Sequence, residues 1–529
     1  MISFGRAPCD EGVIRAAADT SGCAERARPW VLAATILGSS MAFIDGSVVT
    51  VALPAIQADL TMSAAGAQWV ANAYMLMLGA LILAGGSAGD RFGRWRVFAL
   101  GVAIFTAASV ACGLAPNTAA LIAARAAQGA GGALLVPGSL AIISAAFPED
   151  ERGKAIGTWA GFSALTTAVG PLLGGWLVDA LSWRAIFFIN VPVALLTLGL
   201  AFWQVPESRD ASDDATVDWQ GALLTMLGLA GLAYGLTAAS DFGWMSPIVP
   251  GVLLGSGLVL ALFVWHEARA PSPMMPLGLF RSAVFSGTNA MTLLLYFALS
   301  GVLFFLPFNL IRIQGYSATL AGAAFLPFTL IMGGLSRWSG GLVHRYGARK
   351  PLTIGPVIVA AGSALFAFPG IGGSYWTTFF PAMAVLGLGM AVSVAPLTTT
   401  VMSAAGSQHA GTASGINNAV SRIAGMLAIA LLGALVVGVF GAAVDRRLAE
   451  LRVPPEIRRA LKAEVPKFAE AKVPAQIEGE QRRTLEKVLD ESFVRSFRVA
   501  MLVAAGLALA SALCAGLMLS PQRKNPPVA

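Results

Sequence analysis

From Trp30 to Leu519 the chain is a succession of long apolar runs, parted by short segments that carry its glycines, prolines and charges. A helix needs about 20 predominantly apolar residues to cross the hydrocarbon core. Only a helix or a closed barrel satisfies its backbone polar groups there. Of the 529 residues 56% are hydrophobic and 12% charged, about half the charged share of an ordinary soluble domain. Too few charges remain to clothe a water-soluble surface. The expected fold is an all-α polytopic membrane protein with 14 spans, at 30–54, 67–85, 96–115, 119–143, 155–179, 185–205, 219–238, 247–266, 284–311, 318–338, 350–370, 376–402, 413–443 and 497–519.

Charge then orients the chain. With the N-terminus inside, the inner loops and tails hold 18 Lys and Arg against 2 in the short outer loops, as the positive-inside rule requires. The net charge of +7 is spread over loops and not gathered on one face, which argues against a nucleic-acid partner. The expected location is the cytoplasmic (inner) membrane, with both termini in the cytoplasm. Cys9, Cys23, Cys112 and Cys514 are scattered and give neither a disulfide framework nor metal-ligand spacing. Residues 1–29 lack the apolar core and cleavage site of a signal peptide and read as a cytoplasmic tail. Segment 445–497 follows an odd-numbered span and is expected outside. There Leu485, Val488, Leu489 and Phe493 recur at helical spacing, so one or two surface helices are expected.

One internal repeat organises the whole. Gly86-Ser-Ala-Gly-Asp-Arg-Phe-Gly-Arg after the second span aligns with Gly340-Gly-Leu-Val-His-Arg-Tyr-Gly-Ala after the tenth. Parallel halves with a site between them are a known transporter plan. The expected organisation is a tail at 1–29, a six-helix bundle at 30–205, two linking spans within 206–283, a second bundle at 284–519 that includes external loop 444–496, and a tail at 520–529. In the first copy of the repeat, Gly86, Gly89 and Gly93 permit close helix approach. Asp90, Arg91 and Arg94, with Arg96, form an acid–base cluster suited to latching helix ends; a plain positive-inside loop explains the arginines but neither Asp90 nor the glycines.

Asp45 is the main chemical clue, because a carboxylate midway along an apolar span is costly and by default functional. It lies nine residues before Pro54, roughly 13 Å from the outer helix end, while Arg125 stands roughly 9 Å into the fourth span from the same side. The two share a depth. Asp45 reads either as a proton-coupling carboxylate or as half of a structural ion pair, and Arg125 likewise as a coupling or a structural group. In the fifth span Gly161, Gly170, Pro171, Gly174 and Gly175 leave one helix face nearly bare, fit for close packing or for a bendable seal.

The loop at 86–94 resembles the loop signature of the major facilitator superfamily, and neighbouring motifs narrow the resemblance to its fourteen-span drug:proton antiporter family, the EmrB/QacA type. Phe43-Ile-Asp-Gly-Ser-Val-Val-Thr-Val-Ala-Leu-Pro54 is similar to that family's first-helix motif, Arg125-Ala-Ala-Gln-Gly-Ala-Gly131 to its fourth-helix motif, and Gly170-Pro-Leu-Leu-Gly-Gly-Trp176 to its fifth-helix antiporter motif. Trp183-Arg-Ala-Ile-Phe-Phe-Ile-Asn-Val-Pro192, Gln314-Gly-Tyr-Ser-Ala-Thr-Leu-Ala-Gly322 and Ala410-Gly-Thr-Ala-Ser-Gly-Ile-Asn-Asn418 agree with it. Thr166 stands where the family pattern has glycine, and His344 where the first-half loop has Asp90.

The resemblance implies two six-helix bundles plus two extra central helices, a proton site at Asp45 and Arg125, and a coupling role for Gly170, Pro171, Gly174 and Gly175. Trp69, Tyr74, Gln128, Trp159, Phe162, Phe308 and Asn309 are candidate lining of an apolar substrate cavity, although a lipid-facing or core role competes for each. No nucleotide-binding or metal-ligand pattern appears, so no cofactor is expected and an ion gradient is the expected energy source. The partners expected are small hydrophobic substrates, protons and the bilayer, with a periplasmic adaptor left open. The reading is a proton-coupled exporter of hydrophobic, neutral or monocationic molecules, and not an enzyme. Its alternatives are a dedicated exporter of one metabolite, lipid or pigment, and a non-transporting receptor.

Overall fold

The computed structural model describes residues 26–208, 218–243, 246–271 and 273–519. The expected tails, with Cys9 and Cys23, fall almost entirely outside them. Among the described residues 12 helices are long and apolar enough to cross a membrane, which makes the chain a multi-pass integral membrane protein. Two more helices, Glu149–Ala180 and Arg349–Leu365, occupy the places of the other two expected spans. The first is more polar along its length, and the second has 17 residues.

In chain order the helices are α1 Arg28–Asp59, α2 Ala64–Phe92, α3 Arg94–Gly113, α4 Thr118–Ala146, α5 Glu149–Ala180, α6 Ala185–Phe188, α7 Asn190–Gln204, α8 Trp219–Phe242, α9 Ile248–Glu267, α10 Ala283–Phe308, α11 Ala318–Ala323, α12 Leu326–Gly340, α13 Leu342–Tyr346, α14 Arg349–Leu365, α15 Tyr375–Glu450, α16 Pro455–Glu464 and α17 Gly479–Met518. They fall into two compact units. One holds the chain up to Leu60 with Trp69–Leu232 and Gly251–Met275; the other holds Thr61–Gln68, Ala233–Pro250 and everything from Pro276 onward.

In the first unit α1 packs against α4, α5 and α7, and α3 lies along α4. Small residues set that spacing, as van der Waals packing demands where no hydrophobic force drives helices together. A Cβ on Gly101 would stand 2.8 Å from the Leu135 amide nitrogen, and one on Gly131 would stand 2.5 Å from that of Phe105. In the second unit α15 and α17 pack on each other and each packs on α10 and on α14, and α14 meets α15 just as closely, with Gly362 against the backbone of Leu386.

Three element boundaries differ from expectation. The supposed loop between the second and third spans is helix except for Gly93, because α2 runs on to Phe92 and α3 starts at Arg94. The twelfth and thirteenth expected spans lie in one run of helical backbone, α15, as the apolar stretches Tyr375–Ala405 and Gly415–Glu450. The last span begins at Gly479, about 18 residues earlier than expected, because the surface pattern at 481–497 and the apolar stretch behind it share one helical face.

Residues 451–478 form a cap on these long helix ends, with one helix of its own, α16, and a 3-10 turn at Val465–Glu470. The cap has an apolar heart. Phe468 stacks on Phe493 at 4.7 Å and stands edge-on to Phe440 and Phe305. It does so from a positive φ of 51°, and Arg312 secures the next residue by donating to the Ala469 carbonyl at 3.0 Å. Glu470 is partly buried here, and burial raises its carboxyl pKa above the ordinary value against the pull of Lys472 and Arg312.

Candidate functional site: a buried ion pair in the first unit

Asp45 and Arg125 meet directly. An Arg125 Nη donates to Asp45 Oδ2 at 2.5 Å, and the two side chains are 1% and 2% exposed. The Arg125-to-Gly131 motif accounts for the rest of the cluster. Gln128, one helical turn on from Arg125, accepts from the same guanidinium at 2.7 Å through Oε1 and donates to Asp45 Oδ1 at 2.8 Å through Nε2. Arg125 Nε donates to the Val70 carbonyl at 3.1 Å, and the guanidinium lies over the Tyr74 ring at 4.3 Å. Gly129 brings α4 against the backbone of Tyr74, and Gly131 brings it against Phe105.

A buried ion pair survives only where its remaining donors and acceptors are also met, and a second layer of polar groups does that. Ser109 Oγ receives Gln128 Nε2 at 3.3 Å and Asn190 Nδ2 at 2.9 Å, and itself donates to the Phe187 carbonyl at 2.8 Å. Cys112 stands 3.6 Å from Gln128 Oε1. Neither Ser109 nor Asn190 is among the site residues expected from the sequence. Asn190 belongs to the Trp183-to-Pro192 stretch quoted for the resemblance, and an asparagine inside an apolar helix is the signal that could have found it.

The glycines of α5 meet α1 within one turn of Asp45. A Cβ on Gly170 would fall on the Ser47 hydroxyl, and one on Gly174 would stand 3.0 Å from the Val48 carbonyl and 3.1 Å from its Cα. The bare face of α5 therefore closes on α1 two and three residues past Asp45.

A family model for the Major Facilitator Superfamily matches residues 35–429. The chain belongs to the Major Facilitator Superfamily. It is 36% identical over 480 residues to "Multidrug resistance protein Stp" of Mycobacterium tuberculosis, covering 89% of this chain and 88% of that protein. It is also 35% identical over 506 residues to the "Tetracenomycin C resistance and export protein" of Streptomyces glaucescens, covering 94% and 93%. Among solved structures, a bacterial homolog of the human lysosomal transporter Spinster, inward-facing, superposes with a TM-score of 0.65 at 18% identity over 93% of this chain and 98% of that one. A D-xylose–proton symporter gives 0.58 at 15% identity over 93% and 98%. These two likenesses show the fold. The chain is thus a membrane transporter of this superfamily and not an enzyme.

The superfamily's loop signature takes a definite form here. Gly93 adopts φ +108°, a conformation that L side chains rarely reach, and a Cβ on it would also strike the Glu207 carboxylate. Glu207 accepts from the Trp95 amide at 3.3 Å and lies 3.2 Å from Arg96 Nε. The Arg94 amide donates to the Ser208 carbonyl at 2.9 Å. The segment after α7 therefore supplies an acid to this junction, one that no sequence motif announces. Gly86 and Gly89 lie inside α2, and Arg91 is exposed at its end; the side chain of Asp90 lies outside the described ones, as does that of His344. Gly347, the counterpart of Gly93, takes φ +75°, so the internal repeat reappears as backbone geometry.

The proposed cavity lining divides between the two units. In the first, Tyr74 and Gln128 are buried against Arg125, Trp69 is half-buried, and Phe162 is exposed. Trp159 donates from Nε1 to Ser39 Oγ at 3.0 Å and stands edge-on to Phe43. In the second unit Phe308 packs on Phe304, and Asn309 accepts from Gln314 Nε2 at 3.3 Å. Also there, Asn417 of the Ala410-to-Asn418 stretch donates to Thr292 at 2.7 Å and to Asn289 at 3.2 Å. Two family stretches find structural uses: Trp183 and Arg184 both donate to Asp59 at 2.9 Å, and Gln314 donates to the Gly370 carbonyl while accepting from the Gly372 amide.

Proposed function

We propose that this chain is a fourteen-span drug:proton antiporter that exports small hydrophobic, neutral or singly cationic molecules by alternating access, with both termini in the cytoplasm. In this reading α5 and α14 cross the membrane along with the other twelve helices. The observation that carries the proposal is the Asp45–Arg125–Gln128 cluster. A carboxylate so placed can serve as a proton carrier only if its partner tolerates the loss of charge. Arg125 has that tolerance, because when Asp45 takes a proton the guanidinium keeps Gln128 Oε1, the Val70 carbonyl and the Tyr74 face. The α5 glycines close on α1 within one turn of Asp45, so a change of charge there bears directly on that seal. A proton and a substrate then exchange through their different affinities for two states.

Asp45 is the sole acidic residue midway along an expected span, which favours neutral or singly charged cargo. The names of the two relatives, for multidrug resistance and for resistance and export, favour efflux. A second reading, export of a single metabolite, draws on relatives named for one compound each, such as tetracenomycin C and puromycin.

The test is efflux of a hydrophobic monocationic dye from cells expressing wild type or Asp45→Asn at matched levels, with a protonophore added midway. Wild type should lower dye accumulation until the protonophore arrives, and Asp45→Asn should not lower it at all. An Asp45→Asn variant that pumps like wild type would make the pair purely structural. Wild type that exports one member of a broad compound panel and no dye would favour the dedicated exporter.

A further inference from the structure

We propose that the cap end of α17 holds the phosphate of an anionic phospholipid. Between the ends of α15 and α17 lies a cavity of about 680 Å³ whose wall carries Arg446, Arg447, Arg495 and Arg498 against only Glu450 and Glu491. The two acids are already engaged. Arg447 pairs with Glu450 at 3.2 Å and with Glu491 at 2.9 Å, and Lys487 also approaches Glu491. Arg498 is turned toward carbonyl oxygens, those of Phe368 at 3.3 Å and Pro369 at 3.2 Å, which leaves its charge uncancelled. Arg446 and Arg495 hold no carboxylate among the described residues. Ser492 Oγ, on the same wall, is buried without a hydrogen-bond partner, its residue being 2% exposed. An anion with several acceptor oxygens answers both the surplus of guanidinium donors and the idle hydroxyl.

What marks the anion as a lipid headgroup is the face below it. Arg495, Arg498, Leu502, Leu509, Leu513 and Leu517 follow one another on one stripe of α17, and all are exposed. Arg498 and Leu517 are 19 residues apart, roughly 29 Å along the helix axis, close to the thickness of the hydrocarbon core. The guanidinium groups thus stand at headgroup level on the helix face whose leucines meet the acyl chains. Exposed Ile371, which lines the same cavity, and exposed Phe368, whose carbonyl accepts from Arg498, add apolar surface there. A soluble anion would use the arginines alone, whereas a phospholipid held by them also lays its acyl chains along the leucines that already face the bilayer.

Native mass spectrometry of the purified full chain tests this with three probes: phosphatidylglycerol, a diacylglycerol of the same chains, and inorganic phosphate. The variant is Arg446→Gln combined with Arg495→Gln, two exposed side chains whose loss breaks none of the ion pairs at this end of the helices; Ser492→Ala serves as a second, milder variant. Wild type should retain phosphatidylglycerol at least about tenfold more tightly than diacylglycerol. The double variant should lose most of that preference, and Ser492→Ala part of it. Equal retention by wild type and double variant overturns the site. Displacement of the lipid by inorganic phosphate at equal concentration overturns the lipid assignment and leaves a soluble anion as the ligand.

Discussion

The Asp45–Arg125 pair makes a quantitative prediction through a double-mutant cycle. Breaking a buried ion pair from one side costs about 3–5 kcal/mol, because the surviving charge is stranded, whereas replacing both partners with apolar groups is often near neutral. The two sides are not equivalent here. Asp45→Leu strands a guanidinium that still has Gln128 Oε1 at 2.7 Å, the Val70 carbonyl at 3.1 Å and the Tyr74 ring, so its cost should fall at the low end, about 3 kcal/mol. Arg125→Met strands a carboxylate whose remaining donor is Gln128 Nε2 at 2.8 Å, so its cost should approach about 5 kcal/mol.

Asp45→Leu with Arg125→Met should cost less than either single change, a coupling energy of several kcal/mol where independent sites would add to within about 0.5 kcal/mol. Unfolding in graded SDS, followed by tryptophan fluorescence, reads stability, and dye efflux reads transport on the same four proteins. Additive single effects would refute the argument that the charges depend on each other for burial. A double variant that is stable and still exports dye at the expense of the proton gradient would refute the carrier role while leaving the structural one.

Gly174→Val should cost about 1–3 kcal/mol by overpacking, because its side chain would enter the space held by Val48, and it should slow efflux more than it lowers expression; unchanged efflux would separate the α5 seam from coupling. Gly93→Ala should cost about 1–3 kcal/mol from its backbone conformation, and Glu207→Ala should relieve part of the loss by clearing the carboxylate, a non-additivity visible in thermal unfolding. In the cap, Glu470 is held above its ordinary pKa by burial, so the folded state favours its protonated form and stability falls as pH rises through the glutamate range. Glu470→Gln should therefore resist proteolysis of residues 451–478 better than wild type at neutral pH, with the advantage vanishing in acid; an advantage that does not change with pH would point to packing.

The sequence carried far because the bilayer leaves so little choice. Asp45 stands out in an apolar run since a carboxylate there is costly, and the Gly93 and Gly347 repeat is visible as text because both positions need a positive φ that side chains resist. What stayed hidden was partnership. Glu207 lies 114 residues of chain beyond Gly93, and no spacing rule links the two. Ser109 and Asn190 look like tolerated polar residues until α3 brings Ser109 to Gln128 and α7 brings Asn190 to Ser109. Gln128 itself, expected as a candidate for the cavity lining, proves to be bonded to both charges of the pair. The cap was legible as an amphipathic pattern at 485–493, but the stacking of Phe468 on Phe493 depends on a turn with no local signature.

The sequence alone therefore determined the membrane class, the apolar helices, the repeat and the residues too costly to be there without purpose, since each follows from the free energy of placing a side chain in hydrocarbon. Tertiary structure decided which of those residues touch, because contacts between helices are set by where small side chains let backbones approach. That is why Gly129, Gly131, Gly170 and Gly174, which carry no chemistry of their own, settle the surroundings of the buried carboxylate of Asp45.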